Sequence, residues 1–420
     1  MDDDDDEPWL WFKRQPTIPN ILDFGQGRSR NNSDVFLDID NTPPDTDSEQ
    51  EDSGSESGKV EPTISEKIYV NACAQCRVVP GKRILRSLKS AKVSAKDRDL
   101  LSKDVEPIAY ALTTNDCVET LDMSGNSIGK EGLINILRML EENHSITCLN
   151  ISDNKLGAEG AIIVGTMLTQ NVNLKTLNAS GNDFSDEDAS HIATGISQAR
   201  TLTSLDLSHN RFAEEGGREI ADSIEQNDSL VDLNLGWNNL RLSGGAAIGS
   251  SLLINSTIRS LNLSWNGLAN DGCKAIGTSL ETNTTLDTLD LCNNRVGYEG
   301  AKFLAKGLKV NTSLKTLKLS RNSLSSMGAV ELLSAVRDNP DSKLTVMELK
   351  EVPVADSTFT VLEEIRNNRP DLDVIHDIKV LSEDFLAATA DTRKNISRTV
   401  IVNAKGKKGK KGKKKGKKKK

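Results

Sequence analysis

Eight copies of Leu-x-Leu-x-x-Asn, with Met, Ile or Ala admitted at the third place, recur through the middle of this 420-residue chain without one insertion between them. The closing asparagines are Asn126, Asn154, Asn182, Asn210, Asn238, Asn266, Asn294 and Asn322, each 28 residues after the last. A fixed period in this range predicts a solenoid, in which a repeat closes its core only against its neighbours. The period constrains the architecture tightly and the chemistry very little.

Inside a repeat, two periodicities follow one another. Leu289 and Leu291 alternate with Asp290 and Cys292, so the leucines share one face of a short strand and point into the core. The asparagine then ends the strand, and its side-chain amide can bond the backbone of the adjacent coil, supplying partners that buried peptide groups require. A glycine stands six residues later in seven of the eight repeats, from Gly132 to Gly328, with Asp188 as the exception. Beyond it, apolar residues at three- and four-residue spacing, as in Ala301 to Leu308, predict a helix with one buried face. A second asparagine column, Asn143, Asn171, Asn227, Asn255, Asn283, Asn311 and Asn339, marks the helix ends. Asparagine there is expected in the left-handed conformation that closes a helix. Ala199 interrupts that column.

Strand, turn, helix and return in 28 residues resembles the leucine-rich repeat of the ribonuclease-inhibitor type. The resemblance implies an α/β, right-handed solenoid or horseshoe, with parallel strands on the concave face, helices on the convex face and an intracellular setting. A degenerate repeat precedes the eight at Val93 and Ala95. Another follows at Met347 and Leu349, where Val352 replaces the asparagine and the period stretches to 30. Atypical end repeats are expected, because a solenoid must cap its open core.

Five segments are predicted: residues 1–62 an acidic disordered tail, 63–90 a helical N-terminal cap, 91–375 the solenoid, 376–404 a C-terminal extension, and 405–420 a disordered polylysine-glycine tail. Charge marks the two ends. Residues 2–58 hold 16 acidic and 4 basic residues, a local charge of -12, whereas Lys405 to Lys420 holds 12 lysines, a local charge of +12. Chains this charged and this poor in apolar residues do not pack. The acidic tail carries Trp9-Leu10-Trp11-Phe12 and Val35-Phe36-Leu37, a composition suited to docking on a partner or folding back on the solenoid. The lysine tail has no aromatic residue and no arginine, so its binding to nucleic acid or other polyanions would be weak and sequence-blind. In the cap, Tyr69-Val70-Asn71-Ala72-Cys73 leads through Val78-Val79-Pro80 to Ile84-Leu85-Arg86. With the unbroken period, it resembles the leucine-rich repeat-containing protein 74-like family of animal proteins, over about residues 65–375.

No stretch of about 18 apolar residues occurs, and the amino terminus lacks the basic and apolar regions of a secretory signal. A cytoplasmic or nuclear monomer is expected. The six cysteines lack the spacing of a disulfide framework. Cys148 and Cys292 fall on outward strand positions, Cys117 and Cys273 near helix ends, and Cys73-Ala-Gln-Cys76 is a lone pair better read as cap packing than as a metal or redox site. Only four histidines occur, His144, His191, His209 and His376, and no phosphate-binding glycine loop is present. No catalytic residue, metal site or cofactor is expected, and the chain is read as non-enzymatic.

The expected activity is binding of a protein partner on the concave face. The strand positions between the core residues, Asp122, Asn150, Asn178, Asp206, Asn234, Asn262, Asp290 and Lys318, form a polar ladder. The column before the closing asparagine reads Gly125, Asp153, Gly181, His209, Trp237, Trp265, Asn293 and Arg321. Two adjacent tryptophans among polar residues have the composition of an interface hot spot. Asp206, His209, Trp237, Asn262, Trp265 and Asp290 are therefore the candidate partner-binding residues. The competing reading makes each indole a cover for its own loop, above Leu240 and Leu268. Two other functions stay open: a binder of nucleic acid or acidic polymers through the lysine tail, and a regulator of a small GTPase, since GTPase-activating proteins for Ran share this repeat type. The second lacks an arginine-finger signal, because Arg321 stands alone at a strand edge.

Overall fold

A computed structural model of the chain describes residues 61–352 and 356–377. The acidic segment before residue 61, the extension beyond residue 377 and the lysine tail lie outside the described residues, as do their expected disorder and binding roles.

Each Leu-x-Leu segment forms a three-residue strand: β1 (Lys92–Ser94), β2 (Thr120–Asp122), β3 (Cys148–Asn150), β4 (Thr176–Asn178), β5 (Ser204–Asp206), β6 (Asp232–Asn234), β7 (Ser260–Asn262), β8 (Thr288–Asp290), β9 (Thr316–Lys318), β10 (Val346–Glu348) and β11 (Asp373–Ile375). They make one open parallel sheet in sequence order. The central residue of each of the eight regular strands, such as Leu205 or Leu289, is buried, and its neighbours are more exposed except in β2, where Asp122 is buried as well. Register follows the sequence period: Leu121 pairs with Leu149 and Leu261 with Leu289. The leading repeat pairs Val93 with Leu121, and the stretched one pairs Leu317 with Met347. Beyond the repeats identified from the sequence, β11 extends the sheet by one strand.

Two helices, α1 (Ile64–Cys76) and α2 (Lys82–Ser87), precede β1, and the others lie between successive strands: α3 (Ser102–Thr113), α4 (Gly129–Glu142), α5 (Gly157–Gln170), α6 (Ala189–Gln198), α7 (Glu214–Gln226), α8 (Arg241–Ser251), α9 (Ala269–Leu280), α10 (Tyr298–Leu308), α11 (Ser325–Asp338) and α12 (Asp356–Asn368). Together with the sheet they make the α/β leucine-rich-repeat horseshoe that the resemblance implies. The glycine column lies within the first turn of its helix rather than before it: Gly272, for example, belongs to α9. The reason is crowding, since a side chain on Gly244 would press on the backbone of Glu214 in the preceding helix. Asp188 instead closes a 3₁₀ turn, accepting from the Ser185 amide at 2.9 Å.

Both asparagine columns act through their amides. Asn154, Asn182, Asn210, Asn238, Asn266, Asn294 and Asn322 each donate to the carbonyl 31 residues earlier, as Asn266 does to Leu235 at 2.8 Å. The helix-end column corrects its expectation. Asn143, Asn171 and Asn227 are extended, with φ of -84°, -81° and -87°, so they do not close helices by left-handed backbone. They form a second ladder, again reaching back 31 residues, as from Asn227 to the Ile196 carbonyl at 2.7 Å. Their Oδ1 atoms accept from the amides two and three residues on. Asn115 belongs to the same column and ties the cap to the array, donating to Ser65 Oγ at 3.1 Å and to the Leu88 carbonyl at 2.8 Å. Thr63 and Glu66 close α1 with a reciprocal capping box.

Candidate functional site

The column that precedes the first asparagine ladder has one backbone conformation throughout. Gly125, Asp153, Gly181, His209, Trp237, Trp265, Asn293 and Arg321 all have positive φ, between 54° and 68°. The turn after the strand requires it, because the chain must reverse out of the sheet while the next residue's amide joins the ladder. Glycine meets this requirement without strain and asparagine with little, whereas a bulky L-residue is disfavoured. Trp237 and Trp265 are therefore costly choices at positions where neighbouring repeats use Gly181 and Asn293.

The structure brings three of the six candidate residues together. The Trp237 and Trp265 rings stack with centroids 4.0 Å apart at 12°, and His209 stacks on Trp237 at 5.1 Å and 15°. Trp237 is 45% exposed, His209 is exposed and Trp265 half-buried. Leu240 and Leu268 are fully buried. The indoles lean on each other rather than each covering only its own loop. On one side of the stack the column continues with Gly181, which offers no ring, and on the other with Asn293.

Asp206, Asn262 and Asp290 sit elsewhere, on the strands, where they line a groove of about 300 Å³ with Asp232, Asn234 and Lys318. Their column has a structural task that composition did not reveal: Oδ1 caps the turn after the strand. Asp206 accepts from the Ser208 amide at 2.8 Å, Asn262 from Ser264 at 2.9 Å and Asp290 from Cys292 at 3.0 Å. Asparagine and aspartate serve equally in this capping role. Asp206 also accepts from Asn234 at 2.9 Å, and Asp290 lies 3.4 Å from Lys318.

Sequence reasoning missed a second set of residues on the same rim. Trp265 forms one wall of a cleft of about 620 Å³, with Leu242, Arg241, Arg295, Asn293 and Glu214 around it. Arg241 has φ of 51° at a column where earlier repeats place Gly129 and Gly157, also with positive φ. That contrast was readable in the alignment of the repeats. The Ser243 hydroxyl donates to Glu214, and this bond holds the Glu214 carboxyl below its usual range.

Thiol chemistry finds no support here. Burial pushes Cys73 and Cys76 up to about 11, and burial pushes Cys292 up to about 12, the opposite of the lowered value of a reactive or ligating thiol. Cys273 lies inside α9, fully buried, not near its end, and Cys292 falls just after β8 rather than on it. Among the described residues no three His, Cys, Asp or Glu side chains are grouped to hold a metal ion, and no helix is long and apolar enough to cross a membrane.

A model of the Leucine Rich repeat matches residues 114–137, 142–162, 170–193, 198–221, 226–249, 255–277, 282–305 and 310–333. Among solved structures, the chain is similar to Leiomodin-1 Actin-Binding Site 2, at 20% identity over 32% of this chain and 78% of that one, with a TM-score of 0.29. A likeness of that size carries no argument about partners.

Proposed function

The chain is a leucine-rich repeat protein, and we propose that it is a non-enzymatic intracellular scaffold that binds a protein partner. The binding surface runs along the rim formed by His209, Trp237 and Trp265, with Asp206, Asn262 and Asp290 on the adjoining sheet. The observation that carries this reading is the three-ring stack built on left-handed backbone. Three bulky residues in that conformation cost on the order of 1 kcal/mol or more each. Two ring contacts return about 0.5–1.5 kcal/mol each. Stability alone therefore gives little reason for aromatic residues here, and strained positions of this kind collect at ligand-binding sites. An exposed tryptophan pair rimmed by polar side chains is also what interface hot spots are made of.

The cap motif and the unbroken period support membership in the leucine-rich repeat-containing protein 74-like family, and the repeat type supports a cytoplasmic or nuclear setting. A GTPase-regulating role gains nothing from Arg321, whose Nε is held 2.8 Å from Glu351.

Replacing Trp237 by a photo-crosslinking phenylalanine analogue tests the site in cells. Position 237 is expected to capture a discrete protein, whereas the same group at Lys274, on the outward side of α9, captures none or a different set. Equal capture from both positions would remove the rim from the account.

A further inference from the structure

The cleft beside Trp265 has a composition of its own. One face of Trp265 is taken by Trp237 at 4.0 Å, and on the other side the column continues with Asn293, which lines the cleft. Trp265 is half-buried and lines the cleft together with Asn293. Leu242, 45% exposed, adds an apolar wall. Arg241 and Arg295 stand at the cleft, and neither makes an ion pair among the described residues. Elsewhere on the array, Arg211 is paired with Asp183, Arg218 with Glu215 and Arg321 with Glu351. The one carboxylate lining the cleft, Glu214, accepts from the Ser243 hydroxyl and is also held ionised by the nearby charge of Arg241. Two arginines against one engaged carboxylate leave the site cationic.

The backbone points the same way. Arg241 opens α8, whose first turn has no acidic residue of its own and whose Ser243 amide is met at 3.4 Å by the Glu214 carboxylate of the preceding repeat. A cation at a helix amino terminus opposes the helix dipole, whereas an anion there is stabilised. Arg241 and Arg295 both hold left-handed backbone, with φ of 51° and 60°. The site thus gathers two arginines and one carboxylate beside the half-buried Trp265 and the exposed Leu242.

We propose that this cleft takes an acidic peptide segment of the partner protein, its carboxylates on Arg241 and Arg295 and an adjacent aromatic or proline side chain against Trp265 and Leu242. The proposal rests on the rim being a binding surface and names the chemistry of what binds there. Guanidinium groups suit carboxylates by their paired, planar donors. A volume of about 620 Å³ lies in the range of sites that enclose a small ligand, which fits a short extended stretch rather than the face of a second domain.

Selection of random decapeptides displayed on phage against the intact chain tests this, with anisotropy titration of the enriched peptides. Enrichment of Asp or Glu beside Trp, Tyr, Phe or Pro is expected. Binding is expected to weaken at least about tenfold, a loss near 1.4 kcal/mol, in both Arg241→Asn/Arg295→Asn and Trp237→Asn/Trp265→Asn. Asparagine is chosen because it tolerates left-handed backbone. Peptides that lose binding with the tryptophans but not with the arginines would overturn the acidic class and leave the rim standing. Peptides indifferent to both variants, or no enrichment of acidic sequences, would overturn the proposal. A chain that sediments as a dimer until the two arginines are replaced would place a second copy in the cleft and overturn it too.

Discussion

Asn266 illustrates what one side chain does in this fold. Its amide donates to the carbonyls of Leu235, Leu263 and Ser264 at 2.8, 3.1 and 3.2 Å, and its Oδ1 accepts from the Leu240 amide at 3.3 Å. The residue is almost fully buried, so Asn266→Ala strands several polar groups away from water. A cost of about 2–4 kcal/mol is expected, since each buried unsatisfied group costs about 1–3 kcal/mol. Denaturant unfolding measures it, and a loss below about 1 kcal/mol would mean that the ladder is replaceable by water. The ladder was legible in the sequence because a fixed residue at a fixed period needs a fixed partner. The sign of φ one residue earlier was not legible in the apolar pattern, which records burial and not backbone twist. Gly125 and Gly181 were the available signal: they mark a left-handed column, against which Trp237 and Trp265 become exceptional.

Helix ends define the next scale. Strands and helices followed from the two periodicities, since leucine alternation and three-to-four spacing each bury one face. The closing geometry did not follow, because asparagine suits both a left-handed terminus and an amide ladder, and only the structure distinguishes them. Ala199 is the one gap in that second ladder. It has φ of -62° and ψ of 131°, extended like Asn143 and Asn171, so its backbone is already set for an asparagine. Ala199→Asn should extend the ladder toward the carbonyl of Leu168 and raise stability by about 1 kcal/mol. A thermal melt checks this, and a lowered midpoint would show that α6 leaves no room for the amide. The final strand β11 was not distinguished in the sequence because its repeat lacks the Leu-x-Leu-x-x-Asn frame and pairs at a 27-residue offset, Met347 with Val374.

At the scale of the array, each repeat contacts mainly its neighbours, and stability is roughly a sum of local terms. A change confined to the rim should therefore leave the rest of the solenoid folded, which makes binding and folding separable. The candidate site was legible in part. The tryptophan pair stood out by composition, and the structure adds His209 to the stack. The strand residues Asp206, Asn262 and Asp290 turned out to share a turn-capping duty invisible to composition. The cleft was missed because the side chains around it come from several columns, one before the ladder asparagine and one, three and four after it, and their types change from repeat to repeat.

The measurement that bears most directly on the central claim pairs two readouts on Trp237→Asn/Trp265→Asn: denaturant unfolding, and quantitative recovery of bound proteins from cell extract at about 0.3 M salt, where exposed charge contacts are screened. Asn293 already occupies this column with φ of 54°, so the substitution borrows a residue that the fold itself uses there. Stability within about 1 kcal/mol of the unaltered chain is expected, as relieved strain offsets lost stacking, together with loss of the recovered partners. Unchanged recovery from a folded variant, or a collapse of stability that removes the array, would contradict the claim.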